Sequence, residues 1–319
     1  MLKTPERIDP QFRSDVLAGL AAPIPAIPAR WFYDRRGSEL FDDITRLPSY
    51  YPTRTETALL ERIAPELAKA VPPASAVVEF GAGSATKTPI LLRAARPVAY
   101  VPIDISGDYL RDSAATVARE FPAIDVMPVE GDFTRRVALP GSIECLPKVG
   151  FFPGSTIGNF IPQSATDLLR GFRAMLGTGA QLLIGMDRVK PVERLIAAYD
   201  DSEGVTAEFN LNLIERINRE LDGDMRADAF RHEARWNEML SRIELHLVAA
   251  RDVTFSVAGQ RFAFAQGRSI HTENSHKYGE RSARLLLLAG GWTPHREWTD
   301  QDGDFAIILA TAEPERSAP

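Results

Sequence analysis

Two acidic residues close successive apolar runs: Asp104 ends "VAYVPIDIS" and Asp132 ends "DVMPVEGDF". An earlier run, "AVVEF", leads into "GAGSATKT" and supplies a glycine pair, Gly81 and Gly83. Glycines let a backbone approach a ligand closely, and an acid at the end of the next strand can accept ribose hydroxyls. The dinucleotide pattern G-x-G-x-x-G is missing because Thr86 takes its third position, and no second glycine precedes Lys87 as a P-loop requires. Asp132 can take an adenine amino group with the Phe133 ring beside it. Together these residues suit a nucleoside without a pyrophosphate, which points to S-adenosylmethionine. The same residues also read as a tight turn and two helix caps. A further stretch, "FFPGSTIGNFIPQ" (151–163), starts as a buried strand and opens into glycines, small hydroxyls and one amide, Asn159. A neutral amide can orient an amine or a carboxylate without adding charge. Stabilising a loop turn is its other reading.

These residues need a scaffold that brings strand ends together. From residue 76 the sequence alternates strand, loop and helix: "AVVEF" (76–80), "VAYVPIDIS" (98–106), "DVMPVEGDF" (125–133), "KVGFFPGSTIG" and "AQLLIGMD" (180–187). Five strands interleaved with helices predict a parallel sheet covered on both faces. In such sheets the fourth strand ends beside the first, at the switch point where ligands bind. That places Asn159 near the glycine loop. About 55 residues then read as mostly helical, from "VERLIAAYDDSEGV" to "AFRHEARWNEM". Hairpin-like segments follow in "SRIELHLVAARDVTFSVAGQRFAFAQG". "SARLLLLAGGW" returns to a helix closed by Gly290 and Gly291, and "DFAIILATAE" is a final strand. The Pro- and aromatic-rich arm 1–55 fits short helices and no regular sheet. It is expected to form a split second domain with the insertion near 190–275.

Composition bounds the function. The chain has 319 residues, 45% hydrophobic and 25% charged, as a soluble globular protein does. A formal net charge of -6 gives no global field for nucleic acid. No run of 18 apolar residues spans a membrane, and the polar start "MLKTPERIDPQF" has no signal core, so a cytoplasmic protein is the default. A lone cysteine, Cys145, excludes an intramolecular disulfide. The five histidines, His232, His246, His271, His276 and His295, show no metal-ligand spacing, and no metal is assigned. Ser84 and Ser155 lack a nucleophile-elbow context.

Along nearly its whole length the chain resembles the histidine Nα-methyltransferases of ergothioneine biosynthesis. The likeness is carried by "WFYDRRGSELFDDITRLPSYYPTRTE", "EFGAGSATKT", "GSTIGNFIP", "AAYDDSEGVTAEFN" and "TENSHKY". It implies an α/β fold: the doubly wound, mostly parallel sheet of a class I methyltransferase with a C-terminal antiparallel strand, plus a split α+β substrate domain. The S-adenosylmethionine-binding domain is then expected over 56–189 and 276–319, and the substrate domain over 1–55 and 190–275. The likeness also implies a monomer that trimethylates the α-nitrogen of a free amino acid. By motif, Gly81, Gly83, Lys87, Asp104, Asp132 and Phe133 would bind the donor, and Tyr33 would border the reacting centre. Tyr50 would contact the imidazole, Asn159 and Tyr199 the carboxylate, and Glu273 and Ser275 the two ring nitrogens. Asn274, between the last two, is counted with the substrate-binding residues, and is polar where the family pattern has a small apolar residue. Leu245 stands where that pattern has a methionine lining the imidazole pocket. Related enzymes methylate a prenylated tryptophan, whose indole has no use for Glu273. A noncatalytic ligand-binding protein and a nicotinamide-dependent oxidoreductase are the readings from other classes.

Overall fold

The computed structural model describes residues 9–83 and 85–313, so the outermost ends of the expected domains and Ser84 of the glycine loop lie outside the described residues. The chain divides into two units, 1–50 with 191–275 and 51–190 with 276–319.

The second of these is built on one sheet. Its opening helix α3 (Tyr51–Ala70; α1 and α2 belong to the other unit) buries Leu59, Leu60, Ile63 and Leu67, the apolar stripe its spacing predicts. Strands β1 (Ala76–Phe80), β2 (Ala99–Asp104), β5 (Lys148–Phe152) and β6 (Gln181–Asp187) are parallel neighbours in the order β6-β5-β1-β2. The fourth strand of the sequence reading, β5, therefore lies beside the first. Both faces of β1 are covered. Ala76, Val78 and Phe80 join a core with Leu168, Leu169 and Phe172 of α6 (Pro162–Leu176). Val77 joins a second core with Leu60 of α3 and Leu91 of α4 (Thr88–Ala95). Each of these Val, Leu and Phe side chains, where fully buried, contributes about 1.5–3 kcal/mol. Outside β2, beyond the crossover helix α5 (Gly107–Glu120), the expected third strand 125–133 is broken. Only β3 (Asp125–Val126) and β4 (Val129–Glu130) pair with β2, because Pro128 between them has no N–H to offer the ladder. Asp132 consequently sits in a turn beyond the last paired residue. After α9 (Glu280–Ala289), β13 (Phe305–Ala312) runs antiparallel to β6, as the C-terminal strand of the expected fold class should. An unexpected edge strand, β12 (Trp292–Thr299), pairs with β13, and Pro294 sits at its bulge.

In the other unit, α1 (Pro10–Ala21) is capped by the Asp9 carboxylate, which accepts from the Gln11 N–H at 2.8 Å. α2 (Arg35–Arg46) is capped by Asp34, which accepts from Gly37 N–H at 2.7 Å. Helices α7 (Val192–Tyr199) and α8 (Val205–Leu221) lead to β7 (Phe230–Asn237), β8 (Arg242–Ala249), the hairpin β9 (Val253–Val257) with β10 (Gln260–Phe264), and β11 (Ser269–His276). The larger sheet has the order β11-β8-β7. The sequence "FRHEARWN", read as helical, is β7. Its Glu and Arg residues favour a helix alone, but full antiparallel pairing with β8 sets Arg235 against Glu244 and buries Phe230 and Ala234. No helix among the described residues is long and apolar enough to cross a membrane.

Candidate active site

The glycine loop turns where β1 ends. Gly81 (φ 73°) and Gly83 (φ 47°) hold left-handed conformations that side chains resist. The Gly81 N–H donates to the Ile103 carbonyl at 2.9 Å, folding the loop over the end of β2. A Cβ on Gly81 would stand 3.2 Å from the Phe133 ring, so the motif's glycine and its aromatic are neighbours. Among the described residues nothing lies within 4 Å of a Cβ on Gly83, a stretch of backbone a ligand can approach. Asp104 is half-buried, accepting from Gly83 N–H at 3.1 Å and Ser106 N–H at 2.9 Å. Each of its oxygens keeps a lone pair for a hydroxyl. Asp132 accepts from the Thr134 N–H at 2.9 Å and hydroxyl at 2.5 Å, so one of its oxygens shapes the turn. Phe133 lies edge-on to Phe152 at 5.6 Å. An open glycine, a half-buried acid at the end of β2 and an aromatic wall fit the adenosine part of S-adenosylmethionine.

Two acids beneath this loop were not singled out from the sequence. Glu79, the first residue of "EFGAG", accepts from the Tyr100 hydroxyl at 2.6 Å and the Thr88 hydroxyl at 2.7 Å. Burial pushes its carboxyl up to about 7, against the pull of those hydrogen bonds and of the Lys87 charge. Glu56 is buried, accepts from Gly154 N–H at 2.8 Å and pairs with Lys87. Lys87 thus carries a matched charge at the base of the loop.

Asn159 ends a 3-10 turn, Thr156–Asn159, that follows β5. The turn is held from three sides. The Ser155 hydroxyl accepts from Asp187 N–H at 2.8 Å, the Tyr278 hydroxyl donates to the Ile157 carbonyl at 3.3 Å, and Gly158 passes His276 so closely that a Cβ would stand 2.8 Å from its carbonyl oxygen. The polar loop at the end of this strand is therefore a fixed support for a half-buried amide. Beside it, Asp187 at the end of β6 is fully buried and accepts from the Tyr51 hydroxyl at 2.6 Å, Lys190 at 2.5 Å and Lys277 at 2.7 Å. Burial pushes its carboxyl up, and the charges of Lys277 and Lys190 more than reverse this, leaving it below the ordinary range. An acid ending a strand was the signal that identified Asp104, and Asp187 carries the same signal.

In the other unit, ring contacts link Tyr33, Phe41, Tyr50 and Tyr199. Centroid distances are 5.8 Å from Tyr33 to Phe41, 6.3 Å from Phe41 to Tyr50 and 5.8 Å from Tyr50 to Tyr199. Phe209 of α8 packs against both Tyr33 and Phe41. The Tyr199 hydroxyl lies 2.7 Å from the Ser275 hydroxyl. Glu273 precedes Ser275 by two on β11 and shares its face, while alternation turns Asn274 to the opposite one. Leu245 on β8 is buried. Tyr50, Tyr199 and Ser275, from three distant parts of the chain, are thus brought together, and Tyr33 joins them through Phe41. Glu244, His246 and His271 have ligand-type atoms within 4.8 Å of one another. Glu244 is neutralised by Arg242 at 2.7 Å and bonded by Asn237, which hold its carboxyl down to about 2 despite burial. Burial and the Arg235 charge hold His246 down to about 4. Ser269 lies 3.3 Å from His246 Nδ1, and the Glu273 carbonyl lies 3.0 Å from His271 Nε2.

Residues 12–312 match the model of a family described as histidine-specific methyltransferases that are S-adenosylmethionine-dependent. The histidine N-alpha-methyltransferase of Mycolicibacterium smegmatis is 40% identical over 308 residues, 93% of this chain and 94% of that protein. Ergothioneine biosynthesis protein 1 of Neurospora crassa is 29% identical over 285 residues, 86% of this chain and 32% of its own length. The 4-dimethylallyltryptophan N-methyltransferase of Claviceps purpurea is 26% identical over 331 residues, 94% of each chain.

Proposed function

Because the chain belongs to the histidine-specific, S-adenosylmethionine-dependent methyltransferase family, we propose that it methylates the α-nitrogen of free L-histidine, through the mono- and dimethyl forms to the trimethylated betaine. The observation that supports this reading best is the joining of Tyr50, Tyr199 and Ser275, with Glu273 on the same strand face as Ser275. A carboxylate and a hydroxyl together can satisfy both imidazole nitrogens, one as donor and one as acceptor.

When bound, S-adenosylmethionine supplies a methyl group on a sulfonium, open to direct attack by an amine. Gly81, Gly83, Asp104, Asp132 and Phe133 are assigned to hold it, with Lys87 supporting the loop through Glu56. Glu273 and Ser275 are assigned the imidazole and Tyr50 its ring face. By the family pattern, Asn159 and Tyr199 are assigned the substrate carboxylate. Most of the rate acceleration then comes from positioning. The amine must arrive neutral, although the neighbouring carboxylate of a free amino acid favours its ammonium form, so desolvation at the site has to lower its pKa. The amine loses its proton to solvent. Tyr33 presents a ring face to a nitrogen that gains permanent positive charge, a favourable cation–π arrangement.

The test is a screen of the protein with S-adenosylmethionine and each standard amino acid, read by mass spectrometry for gains of one, two or three methyl groups. Trimethylated histidine is the expected product. A product from tryptophan or tyrosine with histidine untouched overturns the substrate and leaves the donor site standing. No product from any free amino acid overturns the catalytic reading.

A further inference from the structure

Tyr199 is gripped at both ends. Its hydroxyl meets Ser275 at 2.7 Å, and its carbonyl, at the end of α7, lies 2.8 Å from His232 Nε2. The last carbonyls of a helix have no donor within the helix, so a side-chain N–H here fixes where the helix stops. The His232 side chain is only 2% exposed. Its other nitrogen, Nδ1, lies 2.8 Å from Asn210 Nδ2.

The orientation of Asn210 is settled by the His246 carbonyl, to which Nδ2 also donates at 3.2 Å. Oδ1 then lies 2.9 Å from the Thr272 hydroxyl, whose single proton is shared between Oδ1 and the Leu245 carbonyl. A flipped amide would oppose two oxygens at His246. An amide nitrogen only donates, so His232 Nδ1 must accept, and the single ring proton sits on Nε2, pointed at Tyr199. Thr272 also reaches the Leu245 carbonyl at 3.0 Å, and it stands three residues before Ser275 on β11. The contacts close a circuit from Ser275 along β11 to Thr272, then through Asn210 and His232 to Tyr199 and back to Ser275.

We propose that His232, locked in its Nε2–H tautomer by Asn210 and Thr272, is a positioning residue for amino-acid binding that sets Tyr199 against the strand carrying Glu273 and Ser275. This rests on the assignment of Tyr199 to the substrate. His232 touches no reacting atom. Its effect should fall on the amino acid and spare the methyl donor, whose residues lie in the other unit. Burial lowers the His232 pKa, consistent with a neutral ring, although Asp200, Asp201 and Glu233 face it and pull the other way.

The test compares His232→Phe, His232→Gln and Thr272→Val with the native chain, measuring KM and kcat for L-histidine and calorimetric Kd for S-adenosylhomocysteine. His232→Phe removes the donor and should raise KM at least tenfold, with kcat changed less and the S-adenosylhomocysteine Kd within twofold. His232→Gln carries an N–H donor of similar reach and should recover most of the loss. Thr272→Val, on the strand face opposite Glu273 and Ser275, should shift KM the same way by a smaller factor. Should His232→Phe not fold, His232→Gln and Thr272→Val decide. A native KM in Thr272→Val, or a Gln variant no better than Phe, overturns the inference. A native chain that neither binds nor methylates any amino acid overturns the functional reading itself, and the inference with it.

Discussion

Tyr33 is placed by its successor in the chain. Asp34 caps α2 and accepts from Asn212 at 2.9 Å and Arg219 at 2.6 Å of α8, so the backbone at Tyr33 is pinned from two helices. Burial raises the Asp34 carboxyl, and the Gly37 N–H and the Arg219 charge bring it below its ordinary range. The Tyr33 ring packs edge-on against Phe41 and Phe209, contacts that need no hydroxyl. Tyr33→Phe is therefore expected to fold normally and to slow methyl transfer without abolishing it, as single-turnover kinetics would show. Complete loss would instead make the hydroxyl essential. If Glu273 holds the substrate ring as proposed, Glu273→Ala should raise KM for histidine roughly 10- to 100-fold, with a relative gain for larger aromatic amino acids. At this scale the sequence drew attention to residues in contiguous motifs, and of these the structure links Tyr33, Tyr50, Tyr199 and Ser275 by ring contacts, through Phe41, and by one hydroxyl pair. Phe41, Phe209, Asn210 and His232 were not singled out, because each acts through a contact with a residue far away in the chain. An isolated histidine or asparagine carries no trace of its partner.

Among the elements, β1, α4 and β2 are joined by one carboxyl. Glu79 holds Thr88, which opens α4, and Tyr100 of β2, with the glycine loop spanning the gap between β1 and α4. Its pKa in the folded chain is raised, so the native state binds the extra proton more tightly than the unfolded chain does. The stability it contributes is fully present below about pH 4.5 and is lost as pH rises through about 7. A shift of that size corresponds to an effect on the order of 3 kcal/mol. Glu79→Gln stays neutral and keeps an oxygen for both hydroxyls. Its stability relative to the native chain should grow by about that amount between pH 4 and pH 8, measured by urea denaturation at each pH. A parallel trend in the two proteins would show that Glu79 does not titrate in this range. The apolar runs at β1, β2, β5 and β6 were readable because strands buried on both faces are continuously hydrophobic. The two misread segments were governed by partners. Residues 230–237 became a strand because β8 pairs with every residue of it, and 125–133 broke because Pro128 cannot pair.

On the scale of the whole molecule, the chain passes between its two units at 50/51, 190/191 and 275/276. A chain beginning at residue 51 retains α3 and both cores of the sheet unit while losing Tyr33 and Tyr50. It should bind S-adenosylhomocysteine by calorimetry and give no heat with histidine. A chain beginning at residue 56 should be measurably less stable than one beginning at 51, since it strips the Tyr51 hydroxyl from a buried aspartate and a buried lysine. Equal melting temperatures for the two would count against that role for Tyr51. Each passage lies within a few residues of a group bonded to Asp187: Tyr51 just after the first, Lys190 just before the second and Lys277 two residues after the third. Two of those groups are primary amines with 1% and 0% of their side chains exposed. The fold thereby carries its own chemical clock. In brief treatment with an acylating reagent, surface lysines take up label at once, whereas label at Lys190 and Lys277 accumulates only as fast as the structure around Asp187 opens, so the mass of two peptides times that event.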